Sequence, residues 1–332
     1  MNARREILLA VIILALIVGV GIRAPAFVAL SSLLGVLTDT SFLFMLALAQ
    51  MAVLLTRGID LSVAANLALT GMVVALVNHA APGVPIAAIV VLAIAFGAAL
   101  GLVNGALIAG LGIPPIVVTL GTLAVYRGMI FIIAHGAWLT SKDMSAAFLS
   151  VPKAEFLGFS SLVWIAAAVA LAFWIYLNHT LAGRALYAVG GNPVAARYCG
   201  IDLGRQQLTV YTLAGAVSGL CGYLWVSRYG IAYSDIALGY ELTVIAACVI
   251  GGVSIAGGVG SVSGALLGAL FLGVIVNALP VINVSPFWQM AISGAVILAA
   301  VIVNSRTERR GGKLILPEAR RSAAAVPGVA RS

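Results

Sequence analysis

Charged residues are scarce in this sequence: only 8% of its 332 residues are Asp, Glu, Lys or Arg, whereas 63% are hydrophobic. Soluble proteins carry about 25% charged residues, because a folded surface has to be hydrated. The composition therefore excludes a soluble globular protein and predicts that lipid surrounds most of the chain. No polar linker interrupts the apolar pattern. We expect one transmembrane domain over residues 1–305, followed by a basic, disordered cytoplasmic tail over residues 306–332.

Motifs for catalysis, metal binding and nucleotide binding are missing from the sequence. The three cysteines form no CxxC pair and the three histidines lie far apart, which argues against a disulfide framework or a zinc site. No GxxxxGK[ST] phosphate loop occurs. The net charge of +8 comes from basic residues scattered among loops and the tail, as is typical of cytoplasmic membrane flanks. We therefore expect neither an enzyme nor a nucleic-acid-binding protein, and no cofactor or metal bound by this chain.

Long apolar runs dominate the rest of the chain, and a membrane-spanning helix needs about 20 mainly apolar residues. Ten segments qualify: residues 6–22, 42–56, 62–80, 86–110, 115–135, 161–178, 207–228, 241–256, 259–279 and 287–304. Most of the 18 basic residues fall at the two termini and in alternate connections, which places both termini in the cytoplasm. The expected fold is an all-α, polytopic transmembrane helical bundle of about ten spans with N-in, C-in topology.

Glycines recur at intervals of four residues in two spans. They occupy positions 97, 101 and 105 in the fourth span, and positions 260, 264 and 268 at the start of the ninth. This spacing puts them on one helix face, where a neighbouring helix can approach closely. The run Gly97-Ala-Ala-Leu-Gly101 also resembles Gly264-Ala-Leu-Leu-Gly268. The match favours an inverted repeat of spans 2–5 and 7–10, although tight packing alone would also produce it.

The longest interior connection predicted to be cytoplasmic covers residues 179–206. It contains several glycines, and its Asn192-Pro193 pair is typical of the start of a helix. A short helix lying across the cytoplasmic face suits docking into another protein. An ordinary positive-inside loop explains the segment equally well.

Four stretches of the chain resemble one protein family. Gly183-Arg184, followed by Tyr-Ala-Val-Gly190-Gly191-Asn192-Pro and Ala195-Ala196-Arg, resembles the coupling loop of permease subunits of bacterial ATP-binding-cassette sugar importers of the ribose, xylose, arabinose, rhamnose and autoinducer types. Three other stretches agree in order and spacing: Gly58-Ile-Asp60-Leu-Ser62, Ile113-Pro-Pro-Ile-Val-Val-Thr119-Leu-Gly121, and Gly239-Tyr-Glu241 through Gly251-Gly252. The family often has glycine after its Asp-Leu-Ser-Val motif, where this chain has Ala64-Ala65; that departure concerns local packing.

The resemblance implies a multi-pass permease of the bacterial inner membrane. It would move a monosaccharide, such as a pentose, a deoxyhexose like rhamnose or a related furanosyl signal, from the periplasm to the cytoplasm. Its implied partners are a cytoplasmic cassette ATPase, which would use ATP and Mg, a periplasmic sugar-binding protein, a second identical or paralogous permease, and membrane lipid, but no nucleic acid. The implied ATPase-coupling residues are Gly183, Arg184, Gly190, Gly191, Asn192, Ala195, Ala196 and Gly200.

Polar residues inside apolar spans are the candidates for a translocation pathway, since such groups are costly in a membrane. Arg127 either faces a polar cavity or snorkels, and Glu241 either meets the binding protein or caps the eighth span. The uncharged candidates are Asn66, Asn104, Thr119 and Asn277, which suit a sugar pathway or interhelical hydrogen bonds. The candidates for a structural or gating role are Asp60, which we expect to pair with Arg57, and Gly251, Gly252 and Gly258.

Other kinds of transporter stay open at this point. A permease of the same broad class could carry branched-chain amino acids or nucleosides, although the Tyr-Ala-Val-Gly-Gly-Asn loop favours sugars. A secondary transporter would need intramembrane acidic residues for proton or sodium coupling. Only Asp60 and Glu241 come near this requirement, and both lie at span ends. A membrane enzyme would need a catalytic cluster, which the sequence lacks.

Overall fold

The computed structural model describes residues 3–285 together with residues 288, 291, 294, 295 and 298. The α-helices between residues 3 and 285 are α1 (Ala3–Arg23), α2 (Leu30–Leu55), α3 (Val63–Ala80), α4 (Ile86–Leu111), α5 (Pro115–Ala134), α6 (Ala146–Ser150), α7 (Ser161–His179), α8 (Leu181–Gly191), α9 (Pro193–Tyr198), α10 (Leu203–Tyr229), α11 (Tyr240–Ile250) and α12 (Val262–Val281). Strand β1 (Leu139–Thr140) pairs antiparallel with β4 (Ile231–Ala232), and β2 (Glu155–Phe156) with β3 (Phe159–Ser160).

Within the described part of the chain, eight helices are long and apolar enough to cross a membrane: α1 to α5, α7, α10 and α12. They confirm the all-α polytopic bundle expected from the sequence. The tenth predicted span and the tail over 306–332 lie outside the continuously described residues. The number of spans and the N-in, C-in topology therefore stay predictions.

Helix α2 begins at Leu30, whereas the sequence predicted a span from residue 42, so the predicted boundary was wrong. A run of polar residues between 38 and 41 lowers the local hydropathy and led to this error. In the structure Thr38, Thr40 and Ser41 each donate to the backbone carbonyl four residues earlier, at 2.8, 2.6 and 2.9 Å. Hydroxyls that bond back onto their own helix are tolerated in an apolar environment, and the helix continues through them.

Helix α11 has only 11 residues, although the sequence predicted a span over residues 241–256. At 1.5 Å per residue it is about 16 Å long, roughly half the thickness of the hydrocarbon core. The helix stops at Gly251-Gly252, and Gly252 has a left-handed φ of 93°. Irregular backbone then runs from residue 251 to the start of α12, so the eighth predicted span is a half-helix followed by a helix break.

Helix α10 is the centre of the bundle and packs against α4, α3 and α2. Gly97 and Gly101 of α4 face Gly215 and Gly219 of α10, with the two backbones in contact. The predicted glycine stripe of the fourth span is therefore confirmed as a helix contact. Helix α12 packs in turn against α2 and α11. In the predicted inverted repeat α4 corresponds to α12, α2 to α10 and α3 to α11. The packing of α4 on α10 and α3 therefore matches the packing of α12 on α2 and α11. The repeat stays a prediction because its last span is not described.

The connections gather at two ends of the bundle. One end, called here the coupling end, holds residues 55–62, 179–206 and 250–262. The opposite end holds residues 135–160 and 230–239, where the β1–β4 pair joins the connection after α5 to the connection after α10. By the predicted topology the coupling end faces the cytoplasm.

Candidate functional site

The coupling end carries a short helical element made of α8 and α9. The Thr180 hydroxyl accepts from the Gly183 N–H at 2.9 Å and starts α8, and the Asn192 side chain accepts from the Ala195 N–H at 3.0 Å and starts α9. The predicted Asn192-Pro193 helix start is therefore confirmed. Leu186 and Val189 are buried against the bundle, whereas apolar side chains of the same element are largely exposed, namely Leu181, Val194 and Tyr198.

Hydrogen bonds join the end of α8 to two helix breaks that are distant in sequence. One is the α2–α3 break, residues 56–62, and the other is the α11–α12 break, residues 251–261. The Arg57 side chain donates from Nε to the Gly190 carbonyl at 2.7 Å and from Nη2 to the Gly191 carbonyl at 3.1 Å. The Gly258 N–H donates to the Leu55 carbonyl at 3.0 Å. These contacts join residues 55–58 after α2, residues 190–191 of α8, and residues 257–260 before α12. We call these three segments the glycine junction.

Only glycine fits at the centre of the glycine junction. A Cβ atom at Gly190 would collide with the Leu55 carbonyl oxygen and the Gly258 nitrogen. Gly258 has a φ of 72° and its own Cβ would lie 2.5 Å from the Gly191 nitrogen. The Tyr187 hydroxyl adds a long bond to the Gly260 carbonyl at 3.3 Å, and burial raises the pKa of this phenol. The sequence analysis listed Gly190 and Gly191 as coupling residues and Gly258 as a structural or gating residue. The structure brings the three together.

The N-terminal residues bind next to the same junction. The Glu6 carboxylate accepts from the hydroxyls of Ser261 and Ser263 at 2.8 and 3.0 Å, and Ser261 is the N-cap of α12. The Arg5 guanidinium lies against Gly252 and reaches the Val249 carbonyl at 3.4 Å. The peripheral helix α1 is therefore attached at its first turn to the break between α11 and α12.

Asp60 organises the break between α2 and α3. It is 2% exposed, and one of its carboxylate oxygens accepts from both the backbone N–H and the hydroxyl of Ser62, at 2.8 and 2.7 Å. The Ser62 hydroxyl in turn accepts from the Asn104 amide of α4 at 2.8 Å. Asp60 does not pair with Arg57, so the predicted pair was wrong. Arg57 has a left-handed φ of 65°, and its side chain points to Gly190.

The uncharged pathway candidates all form hydrogen bonds within this chain. Asn66 donates to the Gly97 carbonyl at 3.1 Å, and Thr119 donates to the carbonyls of Ile59 and Pro115 at 3.1 and 2.9 Å. Asn277 donates to the Gly273 carbonyl of its own helix at 2.9 Å. The Asn104 side-chain oxygen is buried without a hydrogen-bond partner among the described residues. Asn66, Asn104 and Thr119 surround the break at Asp60, whereas Asn277 lies apart.

The charged candidates, Arg127 and Glu241, meet at the opposite end. Arg127 donates from Nη1 to the carbonyls of Ser234 and Ile236 at 2.8 and 2.7 Å. The carboxylates of Glu241 and Asp235 lie near its guanidinium, but neither forms an ion pair with it within 4 Å. Arg127 Nε and one Glu241 oxygen are buried with no hydrogen-bond partner among the described residues. Arg127 therefore holds the connection that leads into the half-helix α11.

The connections at the opposite end form a small ordered cap. The Asn78 side chain at the end of α3 accepts from the Ser145 N–H at 2.8 Å, and Tyr223 and Ser227 of α10 donate to the Phe148 carbonyl at 3.2 and 2.6 Å. Hydrogen bonds from the Thr140 N–H and hydroxyl hold the pKa of the Asp143 carboxyl below its usual range. The apolar side chains that the cap exposes are Trp138, Phe156, Leu157 and Leu238.

Gln50 is a site residue that the sequence reasoning missed. It lies fully buried in α2, and with its amide oriented to match it donates to the Asp60 carbonyl and accepts from the Asp60 N–H, each at 3.2 Å. The available signal was a lone amide in the most apolar part of the second span, because polar groups in such spans find specific partners. Tyr211 was missed for another reason: its hydroxyl donates to the Ile59 carbonyl at 3.4 Å, across 152 residues of sequence.

We expect Asp60→Ala to lower the free energy of unfolding by about 2–3 kcal/mol, because the buried Ser62 N–H loses its acceptor. Asp39→Ala is the matched control. It breaks the 3.6 Å ion pair with Arg228, whose two side chains are 34% and 40% exposed, and such pairs contribute about 0–1 kcal/mol. Thermal unfolding of both purified variants in detergent measures the difference. Equal losses for the two variants would show that the Asp60 bonds do not hold the break.

The described part of the chain is a multi-pass bundle with a short helical element exposed at one end, an architecture that fits a membrane transport subunit. The family model described as "branched-chain amino acid transport system / permease component" matches residues 32–301. The chain belongs to this family and is a multi-pass inner-membrane permease subunit.

Curated relatives cover most of the chain. It is 37% identical over 304 residues to the ribose import permease protein RbsC of Escherichia coli (strain K12), covering 89% of this chain and 92% of the relative. It is 35% identical over 310 residues to the galactose/methyl galactoside import permease protein MglC of the same strain, with the same coverage. It is 35% identical over 283 residues to the autoinducer 2 import system permease protein LsrC of Enterobacter sp. (strain 638), covering 85% of this chain and 81% of the relative. No solved structure gives a significant match.

Proposed function

We propose that this chain is the permease subunit of an ATP-binding-cassette importer that carries a monosaccharide from the periplasm to the cytoplasm. The observation that carries the proposal is the glycine junction, which ties the exposed element α8–α9 to the breaks on either side of it. The similarity to import permeases for ribose, galactose and autoinducer 2 supports the solute class. ATP and Mg would be bound and used by a partner ATPase.

The ATPase would act on this chain through α8 and α9. Their exposed apolar side chains, Val194 and Tyr198, lie next to Arg197, a combination of aromatic, aliphatic and arginine groups that is common at protein interfaces. Because Arg57 donates hydrogen bonds to the carbonyls of Gly190 and Gly191, a displacement of α8 would be transmitted directly to the α2–α3 break. Because the Gly258 N–H is hydrogen-bonded to the Leu55 carbonyl, the same displacement would be transmitted to the α11–α12 break.

The opposite end would receive a substrate-binding protein. Its exposed apolar side chains belong to two connections that are held together by the β1–β4 pair and by Arg127. Docking there would act on the half-helix α11, which follows that connection and ends at the glycine junction side of the bundle. We propose that a second permease, identical or paralogous, completes the pathway; α5 exposes Ile116, Val117 and Leu120 on one face for such contact.

A second candidate solute is a branched-chain amino acid, because the matching family model carries that description. The two solute classes separate in one experiment. The tagged permease is purified from its native host with its partners, and the recovered binding protein is screened with ribose, galactose, rhamnose, autoinducer 2 and leucine for a rise in melting temperature.

We expect a cassette ATPase and a binding protein to copurify, a sugar to stabilise the binding protein, and the reconstituted complex to accumulate that sugar in vesicles only with ATP. Stabilisation by leucine alone would replace the sugar assignment by the amino-acid one. Solute movement by the isolated permease without ATP would overturn the importer assignment.

A further inference from the structure

A groove of about 790 Å³ lies at the coupling end between the last turn of α7, one side of α8 and the first two turns of α10. It is separate from the glycine junction, because α8 turns Gly190 towards the junction and Arg184 towards the groove. Arg205 lines the groove from the α10 side. Arg184 and Gly200, which the family resemblance implicates in coupling, line this groove, whereas the ATPase contact proposed above uses Val194, Arg197 and Tyr198 of α9.

The groove is positively charged. Arg184 and Arg205 are exposed, and in the described part of the chain neither guanidinium has a carboxylate within 4 Å. Arg184 donates to the Asn178 carbonyl at 3.4 Å. Asp202 is the one acidic residue among the lining side chains, and its carboxylate caps α10 by accepting from the Arg205 N–H at 3.0 Å. The groove therefore has two arginine side chains and one carboxylate that is already hydrogen-bonded, which makes it complementary to an anionic ligand.

Two residues that line the groove each carry a buried polar atom without a hydrogen-bond partner among the described residues. The Tyr176 hydroxyl and the Gln206 side-chain oxygen are both buried, and neither has a hydrogen-bond partner within the described residues. Buried polar groups are nearly always bonded, so this pair indicates a missing donor and a missing acceptor. A phosphate oxygen would accept from Tyr176, and a hydroxyl of the same ligand would donate to Gln206.

The groove lies at the end of α7, whose outer face is apolar. Leu171, Trp174 and Ile175 are 56%, 47% and 45% exposed along the last turns of this membrane-spanning helix. The Trp174 ring lies 4.6 Å from the His179 ring at the end of α7, and tryptophan is typical of the boundary between hydrocarbon and head groups. An anion bound at this end of α7 therefore lies at the level of the lipid head groups, where the phosphates of anionic phospholipids are found.

We propose that the groove binds one anionic phospholipid through its head group, with Arg184 and Arg205 on the phosphate, Tyr176 donating to a phosphate oxygen and Gln206 accepting from a head-group hydroxyl. Phosphatidylglycerol has this chemistry. The acyl chains lie along α7. The bound lipid holds the outer side of α8, whose inner side forms the glycine junction.

Lipid binding is tested on the purified permease in detergent, independently of its solute. Native mass spectrometry follows retention of added phosphatidylglycerol by the wild type, by Arg184→Gln/Arg205→Gln, which removes two positive charges, and by the control Arg197→Gln, which removes one positive charge from the neighbouring helix α9. Each arginine near a membrane surface contributes about fivefold in affinity to anionic lipid. We expect roughly 30-fold weaker binding for the double variant, a smaller loss for Tyr176→Phe, and wild-type binding for Arg197→Gln.

The other outcomes would overturn the site. About fivefold weaker binding for Arg197→Gln, the loss expected for one arginine anywhere near the membrane surface, would reveal diffuse attraction to basic residues. Equal retention of phosphatidylcholine would exclude recognition of an anion. Displacement of the lipid by millimolar inorganic phosphate would assign the groove to a soluble phosphate. Should the double variant misfold, a photoactivatable phosphatidylglycerol on the wild type takes its place. Crosslinks mapped to Tyr176 and to residues 205–209 support the site, and crosslinks only elsewhere reject it.

Discussion

Gly101→Val is expected to destabilise the bundle strongly. A Cβ atom at Gly101 would collide with the Tyr211 carbonyl oxygen and lie 2.9 Å from the Gly215 Cα atom. Both neighbours are backbone atoms of α10, so no side chain can move aside. Overpacking of this kind costs about 1–3 kcal/mol and sometimes more, and we expect the upper end of that range. Small residues allow this approach in lipid, where van der Waals packing holds helices together.

Gly110→Val is the matched control in the same helix. Gly110 is exposed, and a Cβ atom there would meet nothing within 4 Å. Valine forms helix slightly better than glycine, so the control should insert and melt like the wild type. The measurement is the yield of monodisperse protein in detergent together with its melting temperature. Similar losses for the two variants would mean that valine in α4 is harmful for a reason other than contact with α10.

The glycine spacing in α4 predicts a contact face from sequence but does not identify the partner. Gly97, Gly101 and Gly105 fall on one stripe by helix period alone. Their partners Gly215 and Gly219 have the same spacing in α10, yet no local feature of the sequence matches one stripe to another. Pairing is decided by the whole set of helix contacts, so it becomes visible only in the assembled bundle.

The helix boundaries that sequence missed have local causes. The start of α2 was misplaced because hydropathy counts a hydroxyl as polar even when it bonds to its own helix, as Thr38 and Ser41 do. The end of α11 was misplaced because hydropathy counts glycine as neutral. Gly252, with its left-handed φ, instead ends the helix.

The local elements of the candidate site were predictable from the sequence, but the hydrogen bonds that join them were not. Asn192-Pro193 identifies the start of α9 because capping is a local interaction. Arg57 was expected to pair with Asp60, its nearest opposite charge in sequence. It binds the carbonyls of Gly190 and Gly191 instead, 133 and 134 residues away, because its left-handed backbone turns the side chain towards α8. A contact of that sequence separation has no signature in a single chain.

Gly190→Ala is expected to uncouple transport from ATP hydrolysis. The added methyl group would strike both the Leu55 carbonyl oxygen and the Gly258 nitrogen, the two atoms that are hydrogen-bonded to each other at 3.0 Å. It would therefore force α8 away from the α2–α3 and α11–α12 breaks and disrupt the hydrogen bond between them. We expect ATP-driven uptake in vesicles, reconstituted with the partner subunits, to fall about tenfold or more, given an overpacking cost of about 1–3 kcal/mol.

Gly191→Ala isolates this effect, since it makes the same chemical change one residue further along α8. A Cβ atom at Gly191 would meet nothing within 4 Å, and both changes favour helix by about the same amount. Gly191→Ala should therefore transport normally, while Gly190→Ala should still insert and bind the ATPase, because α9 and the exposed face of α8 are unchanged. Normal uptake by Gly190→Ala would show that force does not pass through the glycine junction. Equal loss in both variants would assign the defect to the end of α8 itself, because the two positions share that helix end and only at Gly190 would an added Cβ atom meet atoms of the two breaks.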